Sequence, residues 1–266
     1  MSHQKPNTKS WQVPNYSTEE FFKKKTKYAL IIPVFNEGKR IQKELQKLKL
    51  YSKQIDIIIA DGGSTDNSTN QKLLKSLHVR TLLINTEQNK GGQGTQLRMA
   101  LSYALNQGYE GVITIDGNNK DDVSKIPLFI KALDEGFDYV QASRFIKGGK
   151  YKNTPPDRIF FNRYIISPIL SLAAGKWFTD IPNNFRAYSK KYLLHPKLNP
   201  FRNIFVRYEL IFYLSTKANR LGLKSKEIPT TRIYPKGEVP TKITGWKKVT
   251  DFLEIIKIAL GFYNPS

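Results

Sequence analysis

Five short apolar runs, each followed by a segment of helical spacing, constrain this chain more than any other feature. Ala29–Val34, Ile57–Ala60, Thr81–Ile84, Gly111–Ile115 and Tyr139–Ala142 read as strands buried on both faces. Between them, Ile41, Leu45 and Leu48 share one helical face, and Ser64 or Asp66 offers an N-cap for a helix through Leu73–Leu77. Leu97, Leu101 and Ala104 mark a third helix that Gly108 can end. Ile126, Ile130 and Leu133 mark a fourth, with Pro127 tolerable only in its first turn. Strands alternating with helices imply right-handed crossovers and a mostly parallel sheet covered by helices on both faces, an α/β fold. In such sheets ligands bind beyond the carboxyl ends of the strands.

The second half is less regular. Arg158–Ala174 reads as a helix rich in Phe, Tyr, Ile and Leu, Arg207–Leu221 as another, and Lys224–Ile228 as a short strand. Residues 249–260 place Phe252, Ile255, Ile256 and Ala259 on one helical face. Both outer helices carry cations beside their apolar residues: Arg158, Arg163 and Lys176 on the first, Lys247, Lys248 and Lys257 on the second. Such helices either pack on the sheet or lie in a membrane interface plane. The longest uncharged apolar stretch, Tyr164–Gly175, is 12 residues, where a transmembrane span needs about 20. Residues 1–20 are polar and lack the apolar core of a secretion signal.

Composition narrows the chemistry. The chain has 266 residues, room for one large α/β domain or two small ones, and 39% of them are hydrophobic, enough for a core. There is no cysteine, so disulfides, thiolate metal sites and cysteine nucleophiles are excluded, and a reducing compartment fits. Three histidines make a polyhistidine zinc site improbable. Lys and Arg number 43 against 22 Asp and Glu, a formal charge of +21 that points to an anionic partner. A basic nucleic-acid-binding module would explain the charge, but no RNP, KH or zinc-finger pattern is present.

Polar clusters follow four of the strands: Phe35-Asn36-Glu37-Gly38, Asp61-Gly62-Gly63-Ser64-Thr65-Asp66, Gln88-Asn89-Lys90-Gly91-Gly92-Gln93 and Asp116-Gly117-Asn118. Asp61 can accept from a nucleobase edge, with Gly63 allowing close approach, or can close an Asx-turn. Lys90 and Gly91 precede a helix N-terminus, where free amides favour a phosphate. Asp116 and Asn118, around the flexible Gly117, can aim two oxygens at one point, and hard divalent cations take such ligands together with substrate phosphates. Asp121 and Asp122 precede a helix, and N-capping is their default role.

On these residues the chain resembles glycosyltransferases of family 2 with the GT-A fold, and within them the dolichol-phosphate-mannose synthase-like branch acting on polyprenyl phosphates. "IIPVFNEGKRI" (31–41), "IIADGGSTDNS" (58–68), "NKGGQGTQLRMAL" (89–101) and "VITIDGN" (112–118) are similar to its nucleotide-sugar motifs. "DIPNNFRAYSK" (180–190) and "GEVPTK" (237–242) are similar to its acceptor segment and closing loop. Two departures stand out. Asn118 replaces the second Asp of Asp-x-Asp, which removes a charge and weakens metal binding. The transmembrane helices found after the catalytic domain in many relatives are absent, so integral-membrane placement is not expected.

The resemblance implies a metal-assisted, inverting transfer of a sugar from a UDP- or GDP-linked donor to a polyprenyl phosphate, with Mg²⁺ or Mn²⁺ as cofactor. Pro33, Asn36, Glu37, Asp61 and Gly63 would hold the nucleoside. Lys90, Gly91, Asp116, Gly117 and Asn118 would lie on the diphosphate and sugar, Asp116 and Asn118 at the metal. Asp180, Arg186 and Lys242 would serve the reaction with Asp116, Arg144, Arg186 and Lys242 would meet the acceptor phosphate, and Asp180 would be the first candidate base for a hydroxyl acceptor. The expected organisation is a basic N-terminal segment (1–27), a GT-A domain (28–242) and a C-terminal amphipathic helix (243–266). The expected setting is cytoplasmic, peripheral on an anionic membrane surface at its inner face, without nucleic acid. A family 2 enzyme that extends a surface glycan is the alternative.

Overall fold

A computed structural model of the protein describes residues 10–88, 91–236 and 246–265. The strands are β1 (Tyr16–Glu20), β2 (Tyr28–Val34), β3 (Asp56–Asp61), β4 (Val79–Asn85), β5 (Gly111–Thr114), β6 (Tyr139–Ser143), β7 (Lys150–Lys152), β8 (Arg186–Ser189), β9 (Ser225–Pro229) and β10 (Thr231–Ile233). The helices are α1 (Lys39–Leu48), α2 (Gln71–Ser76), α3 (Gln93–Asn106), α4 (Ile126–Asp134), α5 (Pro156–Phe160), α6 (Ser167–Ala174), α7 (Lys190–Leu193), α8 (Glu209–Lys217) and α9 (Trp246–Ala259). A wide turn of π-helix, Phe161–Ile166, joins α5 to α6. No helix among the described residues is long and apolar enough to cross a membrane.

Eight strands form one sheet in the order β1-β4-β3-β2-β5-β8-β6-β9, and β10 pairs with β7 in a separate ribbon. β4, β3, β2 and β5 are parallel, as the alternating pattern predicts. Successive residues of β2 serve opposite faces: Ala29 and Ile31 join the core under α3 and α8, whereas Leu30, Ile32 and Val34 join the core under α1, α2 and α4. Helix α3 lies between the sheet and α8, so residues from Gly94 through Leu105 are all buried and no polar stripe is required.

Three features depart from the sequence expectations. Residues 16–20 form β1, antiparallel on the outer edge of β4, and Trp11 stacks on Phe201 at 3.9 Å. This segment carries no apolar run because only its pairing covers the edge. β8 inserts antiparallel between β5 and β6 from the segment Arg186–Ser189, which likewise lacks an apolar run. Helix α2 starts later than expected. Its N-cap is Asn70, whose side chain accepts from the Leu73 amide, while Asp66 accepts from the Gly38 amide at the start of α1.

Candidate active site

The parallel strands β2, β3 and β5 end on one rim, and a cleft of about 600 Å³ opens there. Pro33, Phe35, Glu37, Arg40 and Gly62 form one wall, Asp116, Gly117, Asn118, Lys120, Arg232 and Tyr234 the other. Gly91, Gly92 and Gln93 lie between them, and Phe161, Ile166, Phe212, Phe252 and Ile255 make an apolar end. The side chains of Gln96 and Asn184 also line it. Gln96 donates to the carbonyls of Val34 (2.6 Å) and Ala60 (3.1 Å), which ties together the ends of two adjacent strands.

Asp116 sits just past β5 and is the polar centre of the cleft. Its Oδ1 accepts from Asn184 (2.6 Å) and Gln93 (3.2 Å), and its Oδ2 from Arg232 (2.7 Å) and Asn118 (3.2 Å). Burial alone raises its pKa, but the Arg232 charge and the hydrogen bonds from Asn184, Arg232 and Gln93 outweigh burial and hold it down at about 2. The carboxylate is therefore an anion throughout the physiological range. Gly117 packs against β2: a Cβ there would stand 3.2 Å from the Pro33 carbonyl oxygen.

Arg232 was not legible from the sequence. It comes from β10, 116 residues after Asp116, and its other guanidinium nitrogen takes both oxygens of Asp121 at 2.6 and 2.7 Å. Asp121 is thus a buried ion-pair partner and not a helix cap. Asp122 takes the capping role, accepting from the Ser124 amide at 3.1 Å.

On the opposite wall the polar loops are closed upon themselves. Asp61 accepts from the amides of Gly63 (3.0 Å) and Ser64 (2.8 Å) and the hydroxyls of Ser64 (2.7 Å) and Thr69 (2.8 Å). The Asx-turn reading describes Asp61: three of these bonds fall on Oδ1, and Oδ2 takes only the Thr69 hydroxyl. Asn36, at φ 52°, accepts from the Thr65 amide at 2.8 Å, and Glu37 pairs with Arg40 at 2.9 Å. Gly91 has φ +64°, and a Cβ there would collide with Thr95 Oγ1 at 2.3 Å, so glycine is required. The amides of Gly92 and Thr95 both donate to the Val206 carbonyl at 3.1 Å and are not free for a phosphate.

Three of the four residues expected to serve the acceptor, Arg144, Asp180 and Arg186, have other partners. Arg144 grips Asp180 through Nε and a terminal nitrogen, each at 2.7 Å, with Asp180 fully buried. Neither group lines the cleft, and a paired, buried Asp180 is not placed as a base. Arg186 is also fully buried and donates to the carbonyls of Asn183, Ile211 and Ile181 and to Ser215 Oγ. Its side chain pins β8 to α8 and to the loop before it, so an acceptor phosphate cannot reach it. Lys90 and Lys242 lie outside the described residues.

Among the described residues no group of three or more His, Asp or Glu is placed to hold a metal ion. The donors at Asp116 nevertheless suit a hard cation that arrives with a diphosphate. There is one carboxylate, the amide of Asn118 beside it, and the buried Oδ1 of Asn184, which has no hydrogen-bond partner. A single carboxylate makes a weak site alone and an adequate one when phosphate oxygens complete the shell.

A mostly parallel sheet with a ligand cleft at its strand ends and an aspartate just past β5 defines a GT-A glycosyltransferase. The chain belongs to glycosyl transferase family 2, whose profile matches residues 29–195. It is 29% identical over 225 residues to UDP-N-acetylglucosamine–dolichyl-phosphate N-acetylglucosaminyltransferase of Methanococcus voltae, covering 77% of this chain and 85% of that one. It is 22% identical to undecaprenyl-phosphate mannosyltransferase of Micrococcus luteus, over 81% of this chain and 92% of that one. In structure it is similar to glucosyl-3-phosphoglycerate synthase of Mycobacterium tuberculosis, solved with Mn²⁺, UDP and glucosyl-3-phosphoglycerate. That match has a TM-score of 0.63 at 15% identity and covers 87% of this chain and 79% of that one.

Proposed function

We propose that this enzyme transfers a sugar from a UDP- or GDP-linked donor to a polyprenyl phosphate at a membrane surface. The observation that carries this reading is where the cleft's apolar end leads. It is lined by Phe161 and Ile166, and around them the segment 160–177 turns five of its large apolar residues outward while Leu170 is buried. Phe160, Phe161, Tyr164, Leu172 and Trp177 are each at least half exposed, while Ser167, Ser171 and Ala174 face the core. Packing against the sheet would have produced the reverse. α9 packs against α6 and exposes Val249 and Leu253, with Leu260 exposed just beyond its end. Arg158, Arg163 and Lys176 flank this surface, and cations beside an exposed apolar face suit an anionic membrane interface. The names of the two relatives support a lipid-phosphate acceptor.

The chemistry needs no general base. A phosphomonoester has its second pKa near about 6, so the acceptor oxygen is already ionised. That oxygen attacks the anomeric carbon as the bond from carbon to the nucleotide diphosphate breaks. The electron pair leaves with the diphosphate, no proton moves, and the configuration at carbon inverts. This fits a fold in which Asp180 is locked to Arg144 away from the cleft lining. The ends of β2 and β3 would seat the nucleoside against Phe35 and Gly62, leaving the diphosphate beside Asp116. Asp116, Asn118 and Asn184 would hold Mg²⁺ or Mn²⁺, which when bound supplies charge neutralisation for the departing diphosphate.

Incubation with labelled UDP- or GDP-sugars and a short polyprenyl phosphate tests the reading, with liposome flotation at low and high salt alongside. Label in the lipid phase and salt-sensitive flotation on anionic vesicles are expected. Asp116→Asn should lower transfer about a hundredfold or more, the usual scale for removing one charged group that stabilises a transition state. Labelling of soluble saccharides alone would replace this reading with the glycan-extending one.

A further inference from the structure

We propose that Glu44, buried on α1, is a positioning residue for the metal at Asp116: with Lys47 it holds the Asn119 turn from beneath, and that turn keeps Asn118 beside Asp116. This rests on the sugar-transfer reading above and names a residue that serves the site from outside the cleft lining.

The first observation is the turn itself. Just past β5, Gly117 lies flat on β2 and α1: a Cβ there would stand 3.2 Å from the Pro33 carbonyl oxygen and 3.3 Å from Ile41 Cδ1. Asn119 follows at φ 59°, in the left-handed region that asparagine adopts singly when a local contact selects it. The contacts come from α1. The Asn119 amide donates to Glu44 Oε2 at 3.2 Å, and Lys47 Nζ donates to Asn119 Oδ1 at 2.8 Å. Glu44 and Lys47 are neighbours on the helix surface, so one face of α1 takes hold of both the backbone and the side chain of Asn119.

The second observation is what the turn carries. Asn118 Nδ2 donates to Asp116 Oδ2 at 3.2 Å, and Asn118 Oδ1 accepts from the Lys120 amide at 3.3 Å. Both are long for hydrogen bonds from nitrogen. An amide also has no net charge to draw it to a cation, so the direction of Asn118 is set by the backbone on either side of it.

The third observation is that Glu44 costs stability where it stands. The rest of the buried face of α1 is Ile41, Leu45 and Leu48. Glu44 is fully buried, and its Oε1 has no hydrogen-bond partner. Arg232, whose charge reaches it, spends its terminal nitrogens on Asp116 and Asp121. A half-satisfied buried carboxyl near other carboxylates is worse for the fold than an apolar side chain. Local rules are broken in this way where a site is being shaped, and the bond from the Asn119 amide is what Glu44 gives in return.

Manganese binding to the full chain, read from the EPR signal of free Mn²⁺ in the presence of UDP, GDP or inorganic pyrophosphate, tests this on Glu44→Leu, Glu44→Gln and Lys47→Ala. Glu44→Leu should raise the Mn²⁺ Kd about tenfold or more, the usual cost of removing the group behind a metal ligand. The same variant should melt no lower than the native chain near neutral pH, so the loss cannot be ascribed to unfolding. Glu44→Gln keeps an acceptor for the Asn119 amide and should restore Mn²⁺ binding to within about threefold of native. Lys47 is exposed, so Lys47→Ala keeps the test decisive if Glu44→Leu fails to fold, and a rise of about two- to fivefold is expected for one exposed charged contact. Unchanged Mn²⁺ affinity in Glu44→Leu and Lys47→Ala would overturn the proposal, as would a loss in Glu44→Leu that Glu44→Gln does not restore. Mn²⁺ binding that depends on Glu44 and is supported by pyrophosphate, but not by UDP or GDP, would keep the positioning role and sink the sugar-transfer reading instead.

Discussion

On the wall of the cleft built by β2 and β3, Asp61 accepts from an amide of its own loop, while Asn36 and Asp66 accept from amides of each other's loops, Thr65 and Gly38. Around β5, β6 and β10, charged groups meet across the chain: Asp116 and Asp121 with Arg232 and, outside the cleft lining, Arg144 with Asp180. The first region is held mainly by backbone amides donating to side chains, with one partly exposed ion pair, Glu37–Arg40, and the second by buried charge pairs. Losing a local hydrogen bond costs about 1 kcal/mol, whereas stripping one partner from a buried ion pair costs about 3–5 kcal/mol. The loop side of the cleft is thus shaped by hydrogen bonds, and the opposite side is held by charge.

The sharpest way to break this contrast is Arg144→Met. It leaves the fully buried Asp180 without its bidentate partner and should destabilise the protein by about 3–5 kcal/mol in urea denaturation. Adding Asp180→Leu should recover part of that loss, because two apolar side chains can replace a pair that one cannot. A shift below about 1 kcal/mol would show that solvent reaches the pair.

Asp61→Ala probes the other wall. It leaves two amides and two hydroxyls to find new partners, and about 1–3 kcal/mol is the expected cost. Because the turn at Gly62 shapes the cleft, the thermal shift given by UDP or GDP should shrink as well. A ligand at 100 times its Kd raises stability by about 2.7 kcal/mol, so the loss is readily measured. A cost equal to that of Arg144→Met would abolish the distinction between the walls.

Glu44 sharpens the contrast through pH. It is fully buried on α1, its Oε2 accepts from the Asn119 amide, and its Oε1 has no partner. Burial, then repulsion from Asp121, pushes its pKa well above the ordinary carboxylate value. A carboxyl raised in the folded state contributes its stability fully below the unfolded pKa and loses it as pH rises through the folded one. Near neutral pH Glu44 is therefore a burden, and Glu44→Gln should raise the melting free energy there by about 1 kcal/mol. Melting curves from pH 4 to 8 should show that gain disappearing toward the acid end. A gain that persisted at pH 4 would point to packing and not ionisation.

The smallest effect belongs to Asp122→Asn. Asparagine caps almost as well as aspartate, so the stability change should stay below about 1 kcal/mol and sugar transfer should be unchanged. A large loss of transfer would mean that Asp122 has a role in the cleft beyond its turn.

Local pattern was enough to establish the parallel part of the sheet and the rim on which the polar loops gather. The apolar runs around Ile31, Ile58 and Ile113 are long enough to be buried on both faces, and helix-spaced residues such as Leu45 and Leu101 sit where the crossovers must pass. β1 and β8 were invisible for the same reason: Tyr16–Glu20 and Arg186–Ser189 have no apolar run, and only pairing with a neighbouring strand makes them strands. At the site, sequence singled out Asp116 and Asn118, which stand together because they are two residues apart. It could not choose between cap and ion pair for Asp121, nor foresee that Arg186 would be consumed by backbone carbonyls. Arg232, Lys120 and Tyr234 carried no local signal at all. Spacing along a chain reports neighbours within a turn or a strand. Which cation compensates which carboxylate is decided by burial, where an unpaired charge is too costly to leave and the partner is whatever the closed fold brings within reach.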